Sequence, residues 1–189
     1  MSKITLLTCA AIAAAFVFYK IKPVHNYELD SMSRKHNGLN IPASRLDFNN
    51  IDGFEAVEFQ DQLHLLDAQV IYVLVKLRKL IGRIRISPAE GAIARTDGKQ
   101  STMHFADLEL GRLSEAVDIM PLDVDLETAY KAALTIPEIG AVGAYPDWKP
   151  LPGLHIDLRK RKQGNRLSSW SRKIVDGEII DSGINEAFV

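Results

Sequence analysis

Residues 140–159 read GAVGAYPDWKPLPGLHIDLR. Two apolar runs, Gly140 to Tyr145 and Leu154 to Leu158, flank a turn that carries Pro146, Pro150 and Pro152. Proline fixes φ and has no amide hydrogen, so this cluster marks a turn, and the runs beside it predict two short strands. Working outward, Arg83 to Ser87 alternates charged and apolar residues, as a half-buried strand does. Leu113 to Ile119 ends in Ala-Val-Asp-Ile and predicts a buried strand. Asp125 to Thr135 predicts a helix with Leu126, Ala129, Tyr130, Ala133 and Leu134 on one side, stopped by Pro137. Phe54 to Ile81 predicts the main helical region, because Leu63, Leu66, Val70, Val73, Leu74, Leu77 and Leu80 recur at steps of three and four. Gly82 ends it, after Lys76, Arg78 and Lys79. Pro88 to Thr102 predicts loop, and the tail from Lys160 to Val189 predicts a hairpin around Asp176-Gly177. The expected fold is α+β: a small antiparallel sheet with flanking helices.

Composition narrows the function. The chain has 189 residues, of which 47% are hydrophobic and 25% charged, values that exclude wholesale disorder. Lys and Arg number 23 against 24 Asp and Glu, a net charge of -1, which removes the electrostatic argument for a nucleic-acid partner. The single cysteine, Cys9, excludes an intrachain disulfide framework and a Cys-rich zinc finger. Nothing in the sequence fixes an oligomeric state.

The N-terminal end differs from the rest. Ile4 to Tyr19 (ITLLTCAAIAAAFVFY) carries no charge, with Lys3 before it and Lys20 and Lys22 after it. Residues 1–22 predict a membrane anchor through residues 4–19, or a cleaved signal segment, or a buried core helix. Residues 23–53, rich in Asn, Asp, Ser and Pro, predict a linker or arm, and residues 54–189 the functional domain. His25 and His36 lie among polar residues of the arm and predict solvated side chains. His64 predicts a surface or packed histidine.

The remaining histidines sit in two chemically dense segments. One runs Ser101-Thr-Met-His104, then Gly111, then Glu115-Ala-Val-Asp118-Ile-Met-Pro121. The other runs Gly143-Ala-Tyr145-Pro146, then Gly153-Leu-His155-Ile-Asp157-Leu-Arg159. Zinc accepts imidazole nitrogen and carboxylate oxygen, and a catalytic zinc needs three protein ligands and an open position. A loop histidine (His104), a strand aspartate (Asp118) and a histidine on another strand (His155) could converge at a sheet surface to supply that set.

These two segments together resemble the zinc D-alanyl-D-alanine carboxypeptidase family, part of a wider group with lysostaphin-type peptidases and the hedgehog N-domain fold. The likeness covers about residues 54 to 172, including Trp170, which is similar to a tryptophan that trails the His-x-Asp strand. It implies hydrolysis of peptide bonds in bacterial peptidoglycan, with His104, Asp118 and His155 holding Zn2+. It implies that Arg95 holds a substrate carboxylate or carbonyl. The apolar segment then suggests an enzyme anchored in a bacterial envelope or a phage virion membrane and facing the cell wall. Two departures stand out. Thirteen residues separate His104 from Asp118 where about six are usual, which makes Asp107 and Glu109 rival ligands. Positions that hold an acid or a second histidine before the last ligand are here Pro152 and Gly153, so the catalytic base is Asp157 or Asp147, or is missing. Asp157, one pleat beyond His155, suits a partner that orients His155 better than a base, and the run Arg159 to Lys162 reads as a solvated face more readily than as a substrate clamp. The competing function is a non-catalytic, membrane-anchored structural or binding protein on the same fold.

Overall fold

Side-chain alternation along three central strands sets the architecture. In β2 (Ala116–Pro121), β3 (Ala141–Tyr145) and β4 (Gly153–Asp157) every residue is buried, so both faces of the sheet are covered. Val117, Ile119, Val142, Ala144, Leu154 and Ile156 join the apolar core on one face. Their neighbours at period two, including Asp118, Gly143, Tyr145, His155 and Asp157, take the opposite face. The computed structural model describes residues 38–176 and 178–188.

The core face packs on two helices. Helix α1 (Ala68–Ile81) buries Val70, Ile71, Val73, Leu74, Leu77 and Ile81, and helix α2 (Leu126–Leu134) buries Ala129, Tyr130 and Ala133. Asp125 caps α2 through the Thr128 amide, and the helix ends at Thr135, ahead of Pro137. The main helix is shorter than its periodicity predicts. Residues 54–67 form a 3-10 turn at Ala56–Phe59 and further turns, with Gln60 and Asp61 at positive φ. The reason is Asp67. Its buried carboxylate accepts from the Gln69 amide as the helix cap, and also from the amides of Leu39 and Asn40. A side chain that caps α1 and ties down an arriving strand of chain fixes the helix start. At the other end Gly82, at φ 79°, closes the helix as expected, because Cβ-bearing residues rarely adopt that conformation.

The predicted sheet was antiparallel; the observed one has six strands and is mixed. With β1 (Ile84–Ile86), β5 (Ser168–Val175) and β6 (Glu178–Ser182), the order is β1-β2-β4-β3-β5-β6. All neighbours are antiparallel except β3 and β5. The connection explains the exception. The chain leaves β4 at Asp157, beside Ala141, crosses the end of β3, and enters β5 at Ser168, also beside Ala141. A strand entered that way runs against β4 and therefore along β3. Arg161 holds the crossover by donating to the carbonyls of Ile136 and Ile139. The tail hairpin forms as predicted, with Val175 paired to Glu178.

Residues 38–53, read as linker or arm, are part of the folded body: Ala43, Leu46 and Ile51 are in the core. The apolar segment 4–19, His25 and His36 lie outside the described residues. Among the described residues no helix is long and apolar enough to cross a membrane.

Candidate metal centre

One row of residues crosses the second face of the sheet. Asp118 on β2 pairs with His155 on β4, His155 with Gly143 on β3, and Gly143 with Trp170 on β5. Adjacent strands lie about 4.8 Å apart, so the first two side chains meet directly. His104 comes from the long connection between β1 and β2. Its backbone is fixed there because the His104 carbonyl accepts from the Arg95 amide at 2.7 Å, and its own amide donates to Thr102 Oγ1.

The three side chains converge. His155 Nδ1 lies 2.9 Å from Asp118 Oδ1, His104 Nε2 3.2 Å from the same oxygen, and the two ring nitrogens 3.0 Å apart. All three residues are buried and form a group able to hold a metal ion. A tetrahedral ion with bonds of ~2.0–2.1 Å has ligand–ligand edges of ~3.3 Å, close to these distances. The tautomers also suit a metal. His104 Nδ1 faces the Ile93 carbonyl at 3.5 Å, and His155 Nε2 faces Asp157 Oδ2 at 3.0 Å. With a proton on each outer nitrogen, the inner nitrogens present lone pairs to a common point. The donor set, two imidazoles and a carboxylate, fits zinc and other borderline divalent metals.

Electrostatics make the cluster a strong competitor for protons when no metal is present. Burial opposes a charge on Asp118, but hydrogen bonds from His104 and His155 outweigh it and lower its pKa to about 2. Burial likewise opposes a charge on His155, but Asp118 and Asp157, one on each ring nitrogen, raise its pKa to about 9. Burial raises and the partners His155 and Arg159 lower the pKa of Asp157, with a net depression.

The other candidate residues fall into distinct places. Asp157 is buried, binds His155, and receives Arg159 Nε at 2.8 Å from both carboxylate oxygens. Arg159 therefore belongs to the support of the site and not to a solvated face, and its guanidinium also lies over the Trp170 ring. Asp147 accepts from the Ile174 amide at 2.8 Å. Ile174 is four residues beyond Trp170, about 13 Å along β5 from the row that carries His155. Asp107 caps a turn by accepting from the amides of Glu109 and Leu110, and neither acid joins the metal group. The Arg95 side chain is exposed and reaches the Gly91 carbonyl; with Gln62, Glu90, Thr96 and Asp97 it lines a groove of about 490 Å³. His64 is exposed, in a turn before α1, with Nδ1 on the Asp61 carbonyl.

Three aromatic side chains complete the surroundings. Trp170 packs against the His155 ring at 5.4 Å and donates from Nε1 to the Tyr145 hydroxyl at 3.1 Å. Tyr145 stacks on Trp148 at 4.1 Å, with the planes 12° apart. Tyr145 and Trp148 were not singled out as site residues from sequence, although Tyr145 stands two positions from Gly143 and so shares the face of His155. No family model, no curated protein and no solved structure matches the chain.

Proposed function

We propose that the protein is a zinc-dependent hydrolase of peptide bonds in bacterial peptidoglycan. The observation that carries this is the buried convergence of His104, Asp118 and His155, each outer histidine nitrogen held by its own acceptor. The sequence likeness of the two segments to zinc D-alanyl-D-alanine peptidases supplies the substrate class. Zinc bound by these three residues would lower the pKa of its water toward ~7 and polarise the scissile carbonyl. Asp157 fixes the orientation and tautomer of His155, and Arg159 fixes Asp157. Arg95, whose backbone pairs with the segment that carries His104, is the residue the sequence likeness assigns to a substrate carboxylate or carbonyl.

A second function, non-catalytic binding on the same scaffold, is favoured by one observation. Pro152 and Gly153 stand where an acid is usual, Asp147 is tied to the Ile174 amide, and Asp157 is committed to His155 and Arg159. Neither proposed base is free over the site.

Purified full-length protein, metal-free and zinc-loaded, incubated with sacculi from several bacterial types separates the two. Release of peptides or free D-amino acids only by the zinc-loaded form supports the hydrolase. Stoichiometric zinc without any release establishes the non-catalytic alternative.

A further inference from the structure

The hydroxyl of Tyr145 has one half of its hydrogen bonding accounted for. Indole Nε1–H can only donate, so in the 3.1 Å contact with Trp170 the phenol oxygen is the acceptor. The phenol proton must then point elsewhere. No protein acceptor for it is found among the described residues, although Tyr145 is only 8% exposed. A buried donor without a partner costs free energy unless something supplied from outside meets it.

Three features fix where the hydroxyl stands. Tyr145 is two residues from Gly143, which pairs with His155, so its side chain rises from the same face as the metal group. Trp170, which holds the phenol oxygen, also packs on the His155 ring. The ring stacks on Trp148 at 4.1 Å, and the Arg172 guanidinium lies 5.9 Å from its centre. Burial raises the phenol pKa above its ordinary value of 10.0, against the Trp170 hydrogen bond, so the hydroxyl keeps its proton in the neutral range. The result is a rigid, oriented, protonated donor beside a site built for carbonyl chemistry.

We propose that the Tyr145 hydroxyl is a catalytic hydrogen-bond donor to the oxygen of the scissile carbonyl. The inference rests on the hydrolase function proposed above. When hydroxide, formed by loss of a proton from water to solvent, adds to the carbonyl carbon, the new C–O bond forms as the C=O π pair moves onto oxygen, and that oxygen becomes an anion. Tyr145 donates a hydrogen bond to it and keeps its own proton. A donor oriented before the charge develops needs no reorganisation, which is the source of its effect. Trp170 is the positioning residue, because its indole N–H occupies the phenol oxygen and turns the proton toward the substrate.

The test is Tyr145→Phe, which retains the ring that stacks on Trp148, in the zinc-loaded full chain. Stoichiometric zinc should remain, while kcat on a synthetic stem peptide falls ~10²-fold with KM changed by less than about threefold. Affinity for a dipeptide phosphinate, whose tetrahedral anion mimics the developing oxygen, should fall by about tenfold or more. A variant with kcat and phosphinate affinity both within about threefold of wild type overturns the role of Tyr145 and leaves the hydrolase standing. Wild type that binds zinc but cleaves nothing overturns the hydrolase. In that case equal phosphinate affinity of the two proteins, or none, overturns the Tyr145 proposal as well. Should Tyr145→Phe not fold, Trp170→Phe takes its place: a fall in kcat at unchanged zinc content supports the proposal, and wild-type kcat overturns it.

Discussion

Trp170 lies across Gly143: a Cβ built on residue 143 would stand 2.5 Å from the indole Cε2. The glycine is what lets the indole lie flat over β3 and reach both the His155 ring and the Tyr145 hydroxyl. Gly143→Ala should therefore displace Trp170 and cost about 1–3 kcal/mol, the usual penalty for overpacking. Thermal unfolding with tryptophan fluorescence checks it. An unchanged melting temperature and emission would show that the indole has room to move.

Removing a single ligand should abolish stoichiometric zinc. His104→Ala, His155→Ala and Asp118→Ala are each expected to leave the protein without bound metal after dialysis, whereas His64→Ala keeps it, because His64 is exposed, has Nδ1 on the Asp61 carbonyl and lies outside the group. Metal analysis by emission spectroscopy decides the point, and zinc retained by His155→Ala would count against the assigned group.

Asp157 and Arg159 should act on metal affinity without being ligands. Asp157→Asn can still accept from His155 Nε2, but it loses the charge that holds the imidazole and the fork to Arg159. A loss of 10–100-fold in zinc affinity is the expected size for such a partner. Arg159→Ala should follow the same direction more weakly, since its side chain is 38% exposed. Competition with a chromogenic chelator gives both numbers.

Zinc binding should release a proton. In the metal-free protein His155 has a pKa raised to about 9, above its ordinary 6.5. A raised histidine pKa adds stability that is fully present below pH 6.5 and disappears as pH rises through 9. Metal requires the neutral ring, so apparent zinc affinity should climb about tenfold per pH unit between 7 and 9. Calorimetry in two buffers of different ionisation enthalpy measures the proton directly; a buffer-independent enthalpy at pH 7.5 contradicts the expectation.

Glu115 offers a separate pH test. Its carboxylate accepts from the Gly38 amide, and its pKa is raised from the ordinary 4.5, first by burial and then by the charge of Asp67. Asp157 adds to the rise and Arg112 opposes it. A raised carboxyl pKa means that folding favours the protonated form, so the ionised group reduces stability above its folded pKa and not below pH 4.5. Glu115→Gln should therefore be more stable than wild type at pH 7–8, with the difference vanishing near pH 4. Urea unfolding at both pH values reads it.

Much of the fold was legible where burial imposes a period. Residues 140–159 form two strands around a proline-rich turn because both faces of each strand are covered and proline excludes the ladder between them. The candidate ligand group was legible for the same reason: Asp118 in β2, and His155 and Asp157 in β4, are polar residues in strands that are otherwise apolar, where an unpaired polar group is costly. The start of α1 was not, because apolar spacing at Leu63 and Leu66 continues the helical pattern through residues that are turn. Only the three-dimensional meeting of Asp67 with Leu39 and Asn40 breaks it. The parallel pair β3–β5 was hidden because strand direction depends on a crossover, not on residue pattern. Arg159 was read as solvated since charge near a chain of lysines and arginines usually is; its pairing with Asp157, two residues back, shows only in the fold of the side chain over the strand end.

Two of the three ligand residues stand on neighbouring strands and share their motions, while His104 rides on the 29-residue connection between β1 and β2. That connection is seated on β2 by the Ser87 amide, which donates to the Asp118 carbonyl, and by the Asp118 amide, which donates to the Ala92 carbonyl, and the cluster is complete only while it stays there. For an ion held by this group, lifting of the segment would remove one ligand, His104, and leave two. Substitutions along residues 87–103 that loosen this segment should then speed ion escape without touching the three side chains.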